Sequence, residues 1–352
     1  MTLFTPLRLR GTEFKNRIAV SPMCQYSASD GHPLIWHLVH LGSRALGGAA
    51  LVMAEATAVQ KIGRISPADT GMYLDFHVDA WRPIAAFIRE QGALAGIQLA
   101  HAGRKASTAA PWLGGKPIAV KDGGWTPVAP SPVPFDAGYA VPAELSVEEL
   151  NQIVLDFETA TRRALRAGFQ IVELHAAHGY LLNEFYSPLS NHRHDEYGGS
   201  FENRIRLLLR VAKAVRAAWP ESQPVFVRIS ATDWKEGGWD LEQSVKLCGE
   251  LKNLGIDLID ASSGGTVPGV RIPVAPGYQV EFAATIRRET GIATGAVGMI
   301  TEPEQAQAIV TSGQADIVLL AREMLRDPYW PRRAAHVLGA KIKPPVQYER
   351  AW

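Results

Sequence analysis

The chain has 352 residues, a formal net charge of +1 and 47% hydrophobic residues. That length buries a sizeable core and suits one large barrel domain over residues 1–352, closed by a C-terminal arm. The near-neutral charge argues against nucleic-acid or membrane-surface partners, which draw on a basic excess. The two cysteines, Cys24 and Cys248, have neither the spacing of a metal-cluster motif nor that of a disulfide scaffold, which fits a reducing compartment. No apolar run has signal-peptide or membrane-span character, so a soluble cytoplasmic protein is expected.

Eight short apolar runs follow one another along the chain. They begin near Ile18, Ala50, Gly96, Ile171, Val225, Leu258, Ala293 and Ile317. Strands buried on both faces are short and nearly continuous in apolar residues. Amphipathic helical stretches separate most of them. The clearest spans Val147–Ala167, with Ser146 as N-cap, Glu148 and Glu149 in the first turn and Gly168 past the end. Others cover 241–254 before Gly255 and 302–312 before Gly313. Strand–helix alternation of this kind predicts an α/β fold of the (β/α)8 TIM-barrel class. The competing open doubly wound sheet usually carries a Gly-rich turn after its first strand, where this chain has S-P-M-C-Q-Y. Two segments, 103–145 and 179–204, exceed ordinary strand-to-helix loops and follow strand ends, where a barrel keeps its site.

Strand-end residues therefore make up the candidate site. They are Ser21, Pro22, Met23, Cys24 and Tyr26; Glu55, Ala56 and Thr57; Gln98 and His101; His175, His178 and Tyr180; Arg228; Gly298 and Met299; Ala321 and Arg322. This set contains no expected cluster of carboxylates. It offers groups that bind anions and donate hydrogen bonds to a developing oxyanion. A planar cofactor with carbonyls, ring nitrogens and a phosphate would use such groups.

Five ordered motifs then carry a resemblance. They are R-I-A-V-S-P-M-C-Q-Y from Arg17, Q-L-A-H-A-G-R-K-A from Gln98, E-L-H-A-A-H-G-Y-L from Glu173, S-P-L-S-N-H-R-H-D-E-Y-G-G-S-F-E-N-R from Ser187 and A-V-G-M-I from Ala296. Together they resemble the Old Yellow Enzyme family. Cys24 after Ser-Pro-Met, and the terminal Q-Y-E-R-A-W from Gln347, look like its short bacterial, thermophilic-like branch of ene-reductases.

The resemblance implies non-covalent FMN and a reduced nicotinamide, NADPH or NADH, as hydride donor. Its substrates would be activated alkenes: enones, enals, maleimides or nitroalkenes, reduced in a two-step, ping-pong cycle. Carried over by motif, Ser21, Pro22, Met23, Cys24 and Ala56 would line the flavin ring. Gln98 would bond its pyrimidine edge and Arg228 would face N1 and O2. Gly298, Met299, Ala321 and Arg322 would hold the phosphate through backbone amides, with a helix N-terminus behind them. Many relatives have Gly where this chain has Ala321, so a positive φ there would shift the phosphate. His175 and His178 would donate to the substrate oxygen, Tyr180 would protonate carbon, and Tyr26 would touch substrate. Arg350 would reach from a homodimer or homotetramer partner into the pocket, with Tyr348, Arg350 and Trp352 on one face of an extended strand.

Other readings of the same residues stay open. His175 and His178 could be zinc ligands of a barrel hydrolase, given a third ligand. Cys24 could be a small buried hydrophobe, as Cys248 is expected to be beside Val245 and Leu251. His101 reads as a core histidine. Trp112 and Trp125 are candidate pocket walls.

Overall fold

The computed structural model describes residues 1–352. Eight strands close into a parallel barrel: β1 (Ile18–Val20), β2 (Leu51–Ala58), β3 (Leu94–Ala100), β4 (Ile171–Ala176), β5 (Val225–Ser230), β6 (Leu258–Ser262), β7 (Ala293–Ala296) and β8 (Ile317–Leu320). Closure comes from β8 pairing with β1, Val318 opposite Ile18 and Leu320 opposite Val20. All eight expected strands are present, in the order the alternation implies.

The helices follow from their caps. Val147–Ala167 begins at a reciprocal box: Ser146 Oγ accepts from the Glu149 amide at 3.2 Å, and Glu149 Oε2 accepts from the Ser146 amide at 2.8 Å. It ends at Gly168, whose φ of +93° only glycine adopts cheaply. The next two expected helices run Leu241–Asn253 and Pro303–Thr311, capped at Asp240 and preceded by Glu302. Their apolar faces pack on the barrel's outer surface and form the main core. Cys248 is fully buried there, as expected.

Period-two alternation sorts the barrel interior into layers. Ile171, Phe226, Leu258 and Ile317 belong to an apolar plug with Phe14. Two residues further along β4, β5 and β6 stand Glu173, Arg228 and Asp260, and two further still His175, Ser230 and Ser262. The plug depends on an N-terminal hairpin, Leu7–Leu9 against Thr12–Phe14, that sequence patterning did not suggest. Phe14 lies stacked on Phe226 with ring centroids 6.2 Å apart.

The segment 103–145 is a chain of short turns, tied by Val128–Ala129 pairing with Ala143–Glu144. The segment after β4 contains the short helix Leu181–Tyr186 and leads to the helix Phe201–Ala218. No helix is long and apolar enough to cross a membrane.

Candidate active site

The middle layer of the barrel holds charge. Arg228 Nε lies 3.1 Å from Asp260 Oδ2, the two side chains being 8% and 0% exposed. They sit directly opposite in the β5–β6 ladder. Glu173 Oε1 accepts from Gln98 Nε2 at 2.8 Å, again across a direct strand pair. Burial and the neighbouring Asp260 push the Glu173 carboxyl above its usual range, and burial does the same to Asp260. The strand ends carry no carboxylate cluster, but one layer below them Glu173 and Asp260 form a buried carboxylate pair. Both acids stand in mid-strand rather than at strand ends, and Glu173 lies two residues before His175 on the same face. Glu173 Oε2, both Asp260 oxygens and Arg228 Nε have no hydrogen-bond partner in the protein.

The upper layer holds the histidines. His175 Nδ1 accepts from the Ala177 amide at 3.2 Å, so a neutral ring carries its proton on Nε2. His178 uses its other nitrogen: Nε2 lies 2.7 Å from Ser262 Oγ. The residue sits at φ +61°, held by Ser230 Oγ accepting from its amide at 2.8 Å and Lys105 Nζ donating to its carbonyl at 2.8 Å. Burial, the cation of Arg228 and that of Lys105 hold both imidazoles well below their ordinary range, so they are neutral. The rings meet edge-to-face at 5.2 Å, and Tyr180 meets His175 likewise at 4.8 Å. Burial keeps the Tyr180 phenol protonated.

One wall gathers more of the expected residues. Cys24, Tyr26, Trp125 and Tyr180 pack on a small apolar cluster of Ile65, Ala102 and Ala106. Burial pushes the Cys24 thiol well up, opposed by the neighbouring Ala56 backbone and Tyr26 hydroxyl. A bulge at Glu55 shifts the β2–β3 register so that Ala56 stands opposite Gln98. Trp112 meets the Tyr26 ring edge-on at 5.9 Å but is 65% exposed, so it is a rim residue rather than a wall. Ser21 is fully buried and its hydroxyl has no partner. Pro22 and Met23 continue the same strand end, half-buried.

On the opposite side a cleft of about 250 Å³ brings together Arg228, Gly298, Met299, Ala321 and Arg322. It adds Ser262, one residue past the apolar run from Leu258; Tyr278 and Gln279, just before the helix Val280–Thr290; and Arg326, the last residue of a short helix, none of them in the strand-end set. Gly298 has φ +118°, and a Cβ there would stand 2.8 Å from Gln279 Nε2. Ala321 has φ −103°, so this position does not need glycine. The helix expected behind the phosphate residues is short, five residues from Arg322 to Arg326, and a macrodipole of that length contributes little. A planar, anionic cofactor fits this set: unpaired buried donors and acceptors in the floor, a guanidinium beside them, and an arginine-lined backbone cradle at one end.

His101 is a core residue: Nε2 meets Gln60 Oε1 at 3.1 Å and Nδ1 accepts from the Gly103 amide at 3.1 Å. No group of three His, Cys, Asp or Glu side chains converges as a metal site, so the zinc hydrolase lacks its third ligand. Arg350 is not in this chain's site. Residues 341–347 run along the amino-terminal mouth beside Lys15, Asn16 and Gly48. The expected terminal strand is instead a 3-10 turn, Val346–Ala351. Tyr348 and Trp352 both pack on Tyr329, at 6.4 Å each, because backbone turning brings them round to one neighbour.

A parallel barrel with an anion cradle and a charged floor at its carboxyl end defines a flavin-type TIM-barrel oxidoreductase. The NADH:flavin oxidoreductase / NADH oxidase family model matches residues 2–340. A relative from Geobacillus sp. (strain WCH70), named NADPH dehydrogenase, is 49% identical over 99% of this chain and 98% of its own length. The Old Yellow Enzyme homologue from Zymomonas mobilis superposes with a TM-score of 0.81 at 31% identity, over 98% of this chain and 95% of that one. A 2-naphthoyl-CoA reductase superposes at 0.85 with 25% identity, and this chain spans about half of it, 52%. The chain belongs to the NADH:flavin oxidoreductase family that includes the Old Yellow Enzymes, and FMN is its cofactor.

Proposed function

We propose that the chain is an NADPH-dependent ene-reductase of the short bacterial branch, reducing the carbon–carbon double bond of enones, enals, maleimides and nitroalkenes in a ping-pong cycle. The observation that carries this is the pair of neutral imidazoles beside a protonated phenol. His175 Nε2 and His178 Nδ1 have no protein partner and are not sealed from the pocket. FMN, when bound, would supply the two-electron hydride chemistry between nicotinamide and alkene. Ser21, Pro22, Met23, Cys24 and Ala56 would line its ring, Gln98 and Arg228 would serve its polar edge, and Gly298, Met299, Ala321 and Arg322 would hold its phosphate.

The two histidines then act on the substrate's carbonyl oxygen. Negative charge builds there as hydride reaches the β-carbon, so preorganised donors favour the transition state over the ground state. Tyr180 delivers a proton to the α-carbon, and Tyr26 confines the substrate. Arg350, exposed on its terminal turn, serves the pocket of a partner copy, which makes the working unit at least a dimer.

The test is a stopped-flow comparison with Tyr180→Phe. Reduction by NADPH should stay near normal while 2-cyclohexenone turnover collapses. A nitroalkene, whose nitronate needs no carbon protonation to form, should be less affected. Equal slowing of both half-reactions would sink the proton-donor role.

A further inference from the structure

We propose that Ser262 is a positioning residue that sets the tautomer of His178, forcing the imidazole proton onto Nδ1 so that this ring donates toward the substrate. This rests on the reading of His178 as an oxyanion donor. Gln279 settles which way the hydroxyl points. Its Nε2 donates to the Val297 carbonyl at 3.1 Å, which leaves Oε1 facing the two serines of β6 and its end. Ser263 Oγ donates to that Oε1 at 2.6 Å. Ser262 Oγ is 3.5 Å from the same oxygen, at the outer limit of a hydrogen bond, and 2.7 Å from His178 Nε2. The Ser262 proton therefore goes to His178. An imidazole nitrogen that accepts has no proton of its own, so a neutral ring must carry it on Nδ1.

The two donors of the site are thus oriented by different devices. His175 is set by a backbone amide on its Nδ1 and presents Nε2–H. His178 is set by a serine on its Nε2 and presents Nδ1–H. A backbone amide can only donate, so the first device is rigid. A hydroxyl also accepts, so the second holds only while Ser262 Oγ stays closer to His178 Nε2 than to Gln279 Oε1. Ser244 Oγ and Ser230 Oγ, two other buried hydroxyls near these strands, are committed to the Ala231 and Gly264 carbonyls and do not compete.

The experiment uses FMN-loaded protein labelled with 15N-histidine, with His178 assigned from a His178→Asn spectrum. Long-range proton–nitrogen correlations should show Nδ1 protonated and Nε2 bare in the parent. In Ser262→Ala the ring should move to a mixture or to the Nε2–H form. The 2-cyclohexenone half-reaction should slow at least tenfold more than the NADPH half-reaction. Ser262→Thr keeps the hydroxyl and should restore both the spectrum and the rate. A Ser262→Ala ring that stays Nδ1–H, or a threonine variant as impaired as the alanine one, would overturn the assignment. If the tautomer shifts but His178→Ala itself reoxidises normally with enone, the donor reading of His178 fails while the serine's control of the ring stands.

Discussion

Arg228 Nε sits 3.1 Å from Asp260 Oδ2 inside the barrel, and this ion pair also neighbours the second buried acid, Glu173. One cation thus serves two carboxyls that are themselves fully buried. Charge there is costly unless compensated.

Removing that cation gives the first prediction. Arg228→Met should destabilise the apoprotein by about 3–5 kcal/mol, the usual cost of breaking a buried pair. Glu173 and Asp260 then hold protons in the folded state that they release when unfolded. The folded state binds more protons above the ordinary carboxyl range, so stability must fall as pH rises. Urea melts at pH 6 and 8 should show a deficit that grows with pH. Adding Asp260→Asn should recover part of the stability without recovering FMN affinity in a fluorescence titration. A deficit independent of pH would refute the charge argument.

Gly298 tests the cradle. A side chain at φ +118° is strained, and its Cβ would crowd Gln279 Nε2 at 2.8 Å and Tyr278 Cε1 at 3.0 Å. Gly298→Ala should cost about 1–3 kcal/mol of stability through backbone strain. It should also weaken FMN binding about tenfold, or about 1.4 kcal/mol. Ala321→Gly, at an ordinary φ, should change FMN affinity little. Equal losses at both positions would show that the cradle does not depend on this backbone geometry.

A histidine outside the chemistry should carry a pH signature. Burial holds His101 down at about 4, against about 6.5 in an unfolded chain. Its native environment is therefore fully favourable above pH 6.5 and loses ground as pH falls toward 4. His101→Asn should be less stable than the parent at pH 7.5, having lost its bonds to Gln60 and Gly103. The gap should narrow by about 2 kcal/mol at pH 5, at about 1.4 kcal/mol per pH unit. Paired denaturation curves at the two pH values decide it, and a constant gap would contradict the assignment.

The terminal turn separates anchoring from reach. Tyr329 stacks on Trp352, and the Arg332 guanidinium lies 5.6 Å over the same indole. Trp352→Ala should free the tail, seen as faster carboxypeptidase trimming. Arg350→Ala should leave the tail docked and the mass by light scattering unchanged, yet raise the Michaelis constant for enone several-fold. Deleting residues 347–352 should lower both association and enone affinity. A fully active monomer would end the partner-arm proposal.

Much of the fold was legible because its signals are local. The apolar runs at Ile171 and Val225 announce strands through composition alone. Ser146 with Glu149, and Gly168 at the far end, bound a helix through bonds that span at most a few residues. The strand-end motifs likewise named most of the candidate site, because a parallel barrel turns every strand's carboxyl end to one face. The terminal segment is a turn rather than a strand because six residues carry no periodicity strong enough to outweigh packing against Tyr329.

What the chain could not announce is which buried groups meet. Glu173 and Asp260 are 87 residues apart in sequence (260 − 173), and each looked like a single acid in an apolar strand. Barrel closure and stagger place them around one guanidinium, and there the low dielectric makes their charges interact. The same holds for His175 and His178. Their spacing was plain in the sequence, but the nitrogen each presents is set by an amide at Ala177 and a hydroxyl at Ser262. A tautomer is decided by the direction of a single neighbouring hydrogen bond, and for His178 that neighbour is on another strand.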